Sequence, residues 1–344
     1  MWDPRDLAPD AWQALADSTG ADPRAGRRLL TALVGRGIYD RVRWGREFQI
    51  PNRLADRVRE LPRLTLDRVV TSDVDGFRKL RFLAGDDLAF EAVVIPLHKP
   101  GTATICLSSQ IGCAMGCTFC ATARMAVRRN LATWEIVDQW CQARDVARGA
   151  GLRASGIVFM GMGEPFLNYD RVIAAAEIFR CPSGGQTSAG AITISTVGLV
   201  PEIERYTREG HRYRLAISLG AATDAKRARL VPIAARTPVA RVMQAARSYA
   251  LDRGERVMLS YVCIAGENVG EDDAHALGEL IGDTPVRLDL IDVTDPTGRY
   301  APPSDDVMNA FRDALTRHVR QPVVRRYSGG KDIQAACGTL AAAE

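Results

Sequence analysis

Three cysteines lie close together in one short loop, with the spacing C-x3-C-x2-C. They are Cys113, Cys117 and Cys120 in the run IGCAMGCTFC. Three thiolates can hold three irons of a [4Fe–4S] cube and leave the fourth iron open to bind a reactant. Phe119 lies between the last two thiolates, where an apolar ring can limit solvent access to a cluster. The spacing therefore predicts an iron–sulfur cluster in this loop.

A closed zinc site is the alternative use of such cysteines. It takes four ligands, and no further Cys or His follows within twenty residues of Cys120. The spacing and the ligand count together favour the cluster. The histidines and three further cysteines match no metal spacing, and we expect them to be structural or surface residues: His98, His211, His275, His318, Cys141, Cys181 and Cys263.

Longer stretches of the chain resemble a known family. The runs that carry this resemblance are ATICLSSQIGCAMGCTFCATA, RRNL, GMGEP, STVGLVP, LAISL, RLVPI and GGKDIQAACGTL. Their order and approximate spacing resemble those of the RlmN/Cfr RNA methyltransferases, radical S-adenosylmethionine (SAM) enzymes that methylate adenine ring carbons. The resemblance extends from about Glu91 to Leu340. It implies that the open iron chelates SAM and that an electron from the cluster splits SAM to give a 5′-deoxyadenosyl radical.

The resemblance also implies a mechanism that uses two more cysteines. Adenine C2 is electron-poor and cannot attack the methyl group of SAM as a nucleophile. In the family a cysteine thiolate, matched here by Cys337, first takes the methyl group from one SAM, and the radical from a second SAM activates it. Cys106 matches the partner that releases the product through a transient disulfide. Glu91 matches the proton acceptor, although this chain has two more residues between Glu91 and Cys106 than the family pattern has. Without the resemblance, both cysteines would be interpreted as buried free thiols.

By the same resemblance, a further set of residues lines the SAM pocket: Gly163, Glu164, Ser195, Ser218, Leu219, Gly220 and Thr294. In GMGEP the glycines let the backbone approach a ligand, and the carboxylate can accept hydrogen bonds from the SAM ammonium. The chain departs from the family at SLGAATD, where Gly220 replaces a histidine. It departs again at DLIDVTDPTG, where the family's asparagine aligns with Thr294 or with Asp295. These departures indicate a divergent member.

Strands and helices alternate after the cysteine loop. The apolar periodicity predicts helices at 133–149, near 168–179, near 199–208, near 238–252, near 271–282 and at 304–318. About six βα units of this kind predict an α/β fold, an open and partial (β/α)6 radical-SAM barrel with right-handed crossovers. The cysteine loop, GMGEP, STVG and the end of LAISL all follow predicted strands. We therefore expect these segments to face one cavity.

Residues 1–90 are predicted to form a small accessory domain, and residues 91–344 the methyltransferase domain. Helical patterns cover 7–20, 22–37 and 52–61, and antiparallel strands are predicted at 67–70, 78–84 and 89–97. This part resembles the RNA-binding portion of the family. The alternative is a helical cap that only covers one end of the barrel.

Composition is compatible with such an enzyme. With 344 residues, of which 47% are hydrophobic, the chain can bury one large core and a smaller unit. The net charge of +4 is compatible with an RNA partner but does not establish one. No apolar run reaches the length of a membrane span, and the N-terminus lacks the apolar segment of a signal peptide. We expect a cytoplasmic monomer with reduced thiols and no membrane contact.

The expected activity is radical SAM-dependent methylation of an adenosine ring carbon, C2 with C8 as the alternative. The expected substrates are large-subunit rRNA and also tRNA, with a flavodoxin or ferredoxin as electron donor. The alternative is a methyltransferase of the same mechanism that acts on a small molecule or a peptide. The sequence leaves the target carbon, the RNA position and the reductant open.

Overall fold

The computed structural model describes residues 3–58 and 60–341, and its N-terminal part is helical, as predicted. The helices are α1 (Ala11–Ser18), α2 (Pro23–Leu30), α3 (Arg41–Phe48) and α4 (Asn52–Ala55). Helix α3 was not predicted, because Trp44 is its one buried residue and the helix lacks an apolar stripe. The helix expected at 52–61 is shorter, since α4 passes into a 3-10 turn over Asp56–Val58; Arg59 lies outside the described residues.

Three antiparallel strands follow, as the sequence predicts. They are β1 (Thr65–Thr71), β2 (Arg78–Leu83) and β3 (Ala89–Pro96). The rings of Phe82 on β2 and Phe90 on β3 stack with their centroids 5.6 Å apart. Both rings belong to the same hydrophobic core as the barrel strands, so the core is continuous across residue 90.

The remaining strands form the barrel and one small ladder. They are β4 (Thr102–Cys106), β5 (Gln110–Ile111), β6 (Arg129–Asn130), β7 (Arg153–Phe159), β8 (Ile192–Thr196), β9 (Arg214–Ser218), β10 (Val257–Cys263), β11 (Val286–Asp292) and β12 (Val323–Arg326). The large sheet has the order β1-β2-β3-β4-β7-β8-β9-β10-β11-β12, and β5 pairs with β6 separately. Strand β3 is antiparallel to β4, whereas all neighbours from β4 to β12 are parallel.

Helices alternate with the parallel strands. They are α5 (Thr133–Gly149), α6 (Tyr169–Arg180), α7 (Val200–Arg208), α8 (Asp224–Leu230), α9 (Val239–Arg253), α10 (Glu271–Ile281) and α11 (Asp305–His318). The six strands β4 and β7–β11 are each followed by a helix, which confirms the predicted partial barrel. The six predicted helices lie within about two residues of the observed ones, whereas α8 and β12 were not predicted.

The central strands β8 and β10 are buried on both faces, as expected for parallel strands covered by helices, whereas the edge strand β12 has no buried residue. All five residues of β8 are buried, for example. Because the strands are parallel, their carboxyl ends lie at one end of the barrel. No helix among the described residues is both long and apolar enough to cross a bilayer.

Candidate active site

One cavity lies among the carboxyl ends of the barrel strands. Its volume is about 1030 Å³, including the space open to solvent. Ten of the predicted site residues line it: Cys113, Cys117, Cys120, Gly163, Glu164, Ser195, Ser218, Gly220, Thr294 and Cys337. The other three, Cys106, Glu91 and Leu219, do not. The structure thus brings the three loop cysteines and Cys337 to the same cavity as the strand-end residues.

The loop with the three cysteines runs between β5 and β6 and is held from both sides. Gly112 adopts a φ of +82°, and a side chain there would collide with the carbonyl oxygen of Ala126. The Thr118 N–H donates to the Leu230 carbonyl at 3.0 Å. Phe119 packs against a small apolar cluster that includes Leu230. The Phe119 ring also lines the cavity, as expected for a ring that limits solvent access.

The three cluster cysteines are partly buried, and burial affects the ionisation of two of them. Burial raises the pKa of Cys113 to about 12. Burial and the charges of Cys120 and Cys113 raise the pKa of Cys117 further. Bound iron would supply the positive charge that keeps such thiols ionised.

Glu164 is the buried carboxylate of the cavity. It accepts hydrogen bonds from the Phe166 N–H at 3.0 Å and the Val197 N–H at 2.9 Å. Burial raises its pKa to about 7, and these two hydrogen bonds oppose that rise. A cation placed beside Glu164 would therefore favour its ionised form.

Gly163 has a structural role that the sequence analysis did not foresee. Its φ is +99°, and a Cβ atom there would lie 2.6 Å from the Cβ of Gln110. The side chain of Gln110 in turn accepts the Glu164 N–H at 2.8 Å. Close packing against Gln110 therefore requires the glycine, whatever ligand also approaches it.

The cavity wall also carries polar atoms without protein partners. Ser260 Oγ, Asp292 Oδ1 and Thr294 Oγ1 are buried and accept or donate no hydrogen bond within the described residues. Such atoms cost free energy unless a ligand or water meets them. Neither Ser260 nor Asp292 was predicted from the sequence: Asp292 ends β11, a position that could have indicated it, whereas Ser260 lies in the middle of β10 and has no such signal. Asp295, the alternative to Thr294, instead accepts the Thr297 N–H at 3.0 Å within a turn.

Cys337 lies in a segment without regular secondary structure, residues 327–341, which we name the Cys337 loop. The thiol is exposed and lines the cavity. The Gly338 carbonyl accepts the Ala121 N–H at 2.7 Å, and the Leu340 carbonyl accepts the Thr122 hydroxyl at 2.6 Å. The Cys337 loop therefore packs directly on the chain that follows Cys120.

Cys106 ends strand β4 beneath this site. It is buried, and burial raises its pKa to about 12, with a smaller contribution from the charge of Cys337. The two thiols are therefore close enough to interact electrostatically. All eight cysteines are unpaired in the structure. A disulfide between Cys106 and Cys337 stays a prediction.

Glu91 lies below the Cys337 loop instead of in the cavity wall. It is buried on β3, and its carboxylate pairs with Lys79 at 3.3 Å. It also accepts the Ala341 N–H at 3.0 Å, at the end of the Cys337 loop. These contacts tie Glu91 to the loop that carries Cys337.

Comparison with known proteins agrees with this geometry. Residues 107–277 match the model of the radical SAM superfamily. A probable RNA methyltransferase of Myxococcus xanthus is 45% identical over 325 residues, which cover 94% of this chain and 89% of that protein. A probable dual-specificity RNA methyltransferase RlmN of Moorella thermoacetica is 40% identical over 350 residues, which cover 98% and 96%. The chain belongs to the RlmN/Cfr family of radical SAM methyltransferases.

The fold comparison supports the same assignment. A crystal structure of a radical SAM methyltransferase from Sphaerobacter thermophilus matches with a TM-score of 0.91 and 34% identity over 100% of both chains. The family and the fold class predicted from the sequence are thereby confirmed.

The family implies a [4Fe–4S] cluster and SAM, and the residues present fit both. Within the described ranges, no three His, Cys, Asp or Glu side chains converge closely enough to hold a single metal ion. Cys113, Cys117 and Cys120 line one cavity, and three thiolates are the number that a four-iron cube with one open iron takes. The unpartnered oxygens in the same cavity suit a ligand with several hydrogen-bond donors, as SAM is.

The departures from the family at Gly220 have a local physical reason. Gly220 adopts a φ of +76°, and a Cβ atom there would lie 3.0 Å from Val231. A histidine at this position would therefore be strained in the present backbone. The neighbouring Leu219 is buried in the core, where its carbonyl accepts the Arg227 Nε–H at 3.0 Å. Leu219 thus supports the cavity wall through its backbone.

Proposed function

We propose that this enzyme methylates an adenosine ring carbon in RNA, C2 in preference to C8, through an S-methyl group carried by Cys337. The observation that carries the proposal is the packing of the Cys337 loop on the cysteine loop, which places an exposed thiol in the same cavity as Cys113, Cys117 and Cys120. The names of the relatives, probable RNA methyltransferase and dual-specificity RlmN, support an RNA substrate. Large-subunit rRNA and tRNA are the substrates to test first.

The cluster and SAM, when bound, supply the methyl group and the radical. The Cys337 thiolate attacks the methyl carbon of one SAM, so that the bond from that carbon to the SAM sulfur breaks and S-adenosylhomocysteine leaves; the exposure of Cys337 permits this approach. The S-methyl group on Cys337 would lose a hydrogen atom to the radical from a second SAM, and the resulting S-methylene carbon would bond to the ring. Glu91 then accepts the proton of that ring carbon. Cys106 then attacks the sulfur of Cys337, so that the bond to the transferred carbon breaks and a disulfide forms. A proton completes the new methyl group, and the one surplus electron would return to the cluster. A flavodoxin or ferredoxin supplies electrons to the cluster, and an external reductant restores the thiols.

This assignment makes demands on the chain that can be checked. The Cα atoms of Cys106 and Cys337 must come within about 7 Å in one conformation for the disulfide to form. Since Glu91 does not line the cavity, its role requires the Cys337 loop to shift when RNA binds.

Residues 1–90 are proposed to add salt-sensitive affinity for RNA through exposed arginines, of which Arg46, Arg53 and Arg57 lie in or next to α3 and α4. Deleting the whole segment would expose the shared core. A triple substitution of these three arginines by Ala is therefore the better test. We expect weaker RNA binding and a smaller salt dependence. Unchanged binding would leave the accessory part as a cap.

Mass spectrometry of digested rRNA and tRNA, from cells with and without this gene, tests the proposal directly. We expect one methyladenosine to disappear and to return with the wild-type gene but not with Cys337→Ala. If SAM is cleaved in vitro while every RNA methyl group is unchanged, a small-molecule or peptide substrate is favoured. The residues at 220 and 292–295, where the chain departs from the family, would then be the first place to seek the difference.

A further inference from the structure

The base of the Cys337 loop is held by the turn between β1 and β2. The Asp75 carboxylate accepts the Gly330 N–H at 2.8 Å and the Tyr327 hydroxyl at 2.9 Å. The Ser72 hydroxyl donates to the Asp332 carboxylate at 2.9 Å. Asp75 and Gly330 are 255 residues apart in the chain. The turn therefore joins the accessory strands to the segment that carries the reactive thiol.

Packing reinforces these hydrogen bonds. A side chain at Gly329 would collide with the Asp75 carboxylate and the Phe77 ring. Gly330 has a φ of +69°, and a Cβ atom there would lie 2.8 Å from Ala335. The ring of Phe77 meets that of Tyr327 edge to face, with the centroids 6.5 Å apart. The backbone of the loop thus rests directly on the turn.

The contact also bridges the open side of the barrel. Strands β1 and β12 are the two edges of the large sheet and have no backbone pairing with each other. The turn that follows β1 nevertheless meets the residues that follow β12 through Asp75. At its other end the loop is tied by Ala341 to Glu91, which pairs with Lys79 of β2. Both ends of the Cys337 loop therefore rest on the antiparallel strands.

We propose that Asp75 is a positioning residue for Cys337: by fixing Gly330 and Tyr327 it holds the thiol over the cluster cysteines and so controls methyl transfer, but not SAM cleavage. The inference rests on the proposed role of Cys337 as methyl carrier. The loop has no strand or helix ladder of its own, so its place depends on such side-chain contacts. A reacting group misplaced by about 1 Å can lose about a hundredfold in rate.

The test compares Asp75→Ala with Asp73→Ala in the full-length protein with its cluster reconstituted. Asp73 is an exposed carboxylate of the same turn, so the control removes the same charge without touching the loop. Hydrogen exchange measured by mass spectrometry should accelerate about tenfold in peptides from 327–341 of Asp75→Ala, as loss of a hydrogen bond to a charged group predicts. Asp73→Ala should exchange like the wild type.

The second readout is the ratio of 5′-deoxyadenosine to methylated RNA. In Asp75→Ala, SAM cleavage should stay near the wild-type rate while methylation falls by about tenfold or more, so that the ratio rises. Asp75→Asn keeps an acceptor oxygen and should restore part of the coupling.

Two results would overturn the inference. One is exchange of 327–341 that is equal in Asp75→Ala and Asp73→Ala. The other is a parallel fall of iron content, SAM cleavage and methylation in Asp75→Ala, since that would show a role in folding only. Failure of the proposed function is a separate result: the wild type would then methylate no RNA, while the exchange measurement would still report whether Asp75 holds the loop.

Discussion

Cys106 and Cys337 lie in regions that hold their residues by different means. Cys106 ends strand β4, which is paired with a strand on each side; the register partners of Cys106 are Val93 and Val158. Cys337 lies in an irregular loop that is tied through Asp75, Glu91 and the residues after Cys120. The backbone hydrogen bonds of a sheet hold the strand of Cys106 in place, whereas the position of the Cys337 loop depends on a few contacts.

The difference suits the two proposed tasks. In the proposed mechanism Cys337 must meet SAM, then the base, and then Cys106, so it is the thiol that needs several positions. Cys106 is proposed to act once per turnover, and burial raises the pKa of its thiol to about 12, which favours the protonated, unreactive form. One thiol, Cys106, therefore lies on a paired strand, whereas the other, Cys337, lies in an irregular loop.

The largest expected effect lies in the loop that carries the three cluster cysteines, on which both proposed tasks depend. Replacing Cys113, Cys117 or Cys120 by Ala removes one of three cluster ligands. The reconstituted protein should fall from about four irons to few, and SAM cleavage should be lost. Iron analysis and 5′-deoxyadenosine measurement check this, with Cys181→Ala as a matched thiol control. Full SAM cleavage by any of the three variants would contradict the cluster assignment.

Next in size is the contrast between the two thiols themselves. Cys337→Ala should form neither methylated protein nor product, because no group remains to carry the methyl. Cys106→Ala should form the adduct but not release it, which leaves Cys337 joined to RNA. Intact-mass analysis after incubation with SAM, reductant and RNA distinguishes the two. Normal multiple turnover by Cys106→Ala would show that Cys106 has only a packing role in the core.

The folding stability of the apoprotein should depend on pH because of Glu164 in the cavity wall. Glu164 has its pKa raised from 4.5 to about 7 by burial. Between these values the unfolded chain releases a proton that the folded apoprotein keeps. Stability should therefore fall as pH rises through this window, by at most about 1.4 kcal/mol per pH unit, and level off above it. Urea denaturation of the apoprotein across the window should show this slope in the wild type and lose it in Glu164→Gln.

A smaller effect is expected at a strained glycine of the same wall. Gly220→Ala should destabilise the protein by about 1 kcal/mol or more, because its φ of +76° disfavours a side chain and Val231 is close. Gly149 in helix α5 has open space around it, so Gly149→Ala should be neutral or stabilising. Chemical denaturation of both variants measures the difference. Equal stability of the two would show that the backbone at Gly220 relaxes freely.

The smallest effect concerns the unpartnered hydroxyl of Ser260. Ser260→Ala removes no hydrogen bond of the protein, so apoprotein stability should not fall. SAM binding should weaken by about three- to tenfold if the hydroxyl meets the ligand. Ser155→Ala is the control and should do the opposite, lowering apoprotein stability without weakening SAM binding. Ser155 donates to the Ala103 carbonyl at 3.2 Å and does not line the cavity. Titration of both reconstituted variants with SAM decides it.

The sequence by itself determined the local chemistry and the order of the elements. The cysteine triplet needs nothing beyond its own loop to be recognised as a cluster site. The apolar periodicity located α5 at 133–149, where the structure has it. Parallel connections bring strand ends to one edge, and for this reason Glu164, Ser195 and Ser218 could be expected beside the cluster cysteines before any coordinates.

Only the tertiary structure decided what depends on packing between distant segments. Helix α3 buries a single tryptophan and so leaves no periodic signal. Gly163 is required by Gln110, and Ser260 is distinguished by a missing partner; neither fact is written in a local pattern. The contact of Asp75 with Gly330 arises because the twisted sheet brings its two edges together. A pairing of residues 255 positions apart follows from that geometry, and no propensity or spacing in the chain encodes it.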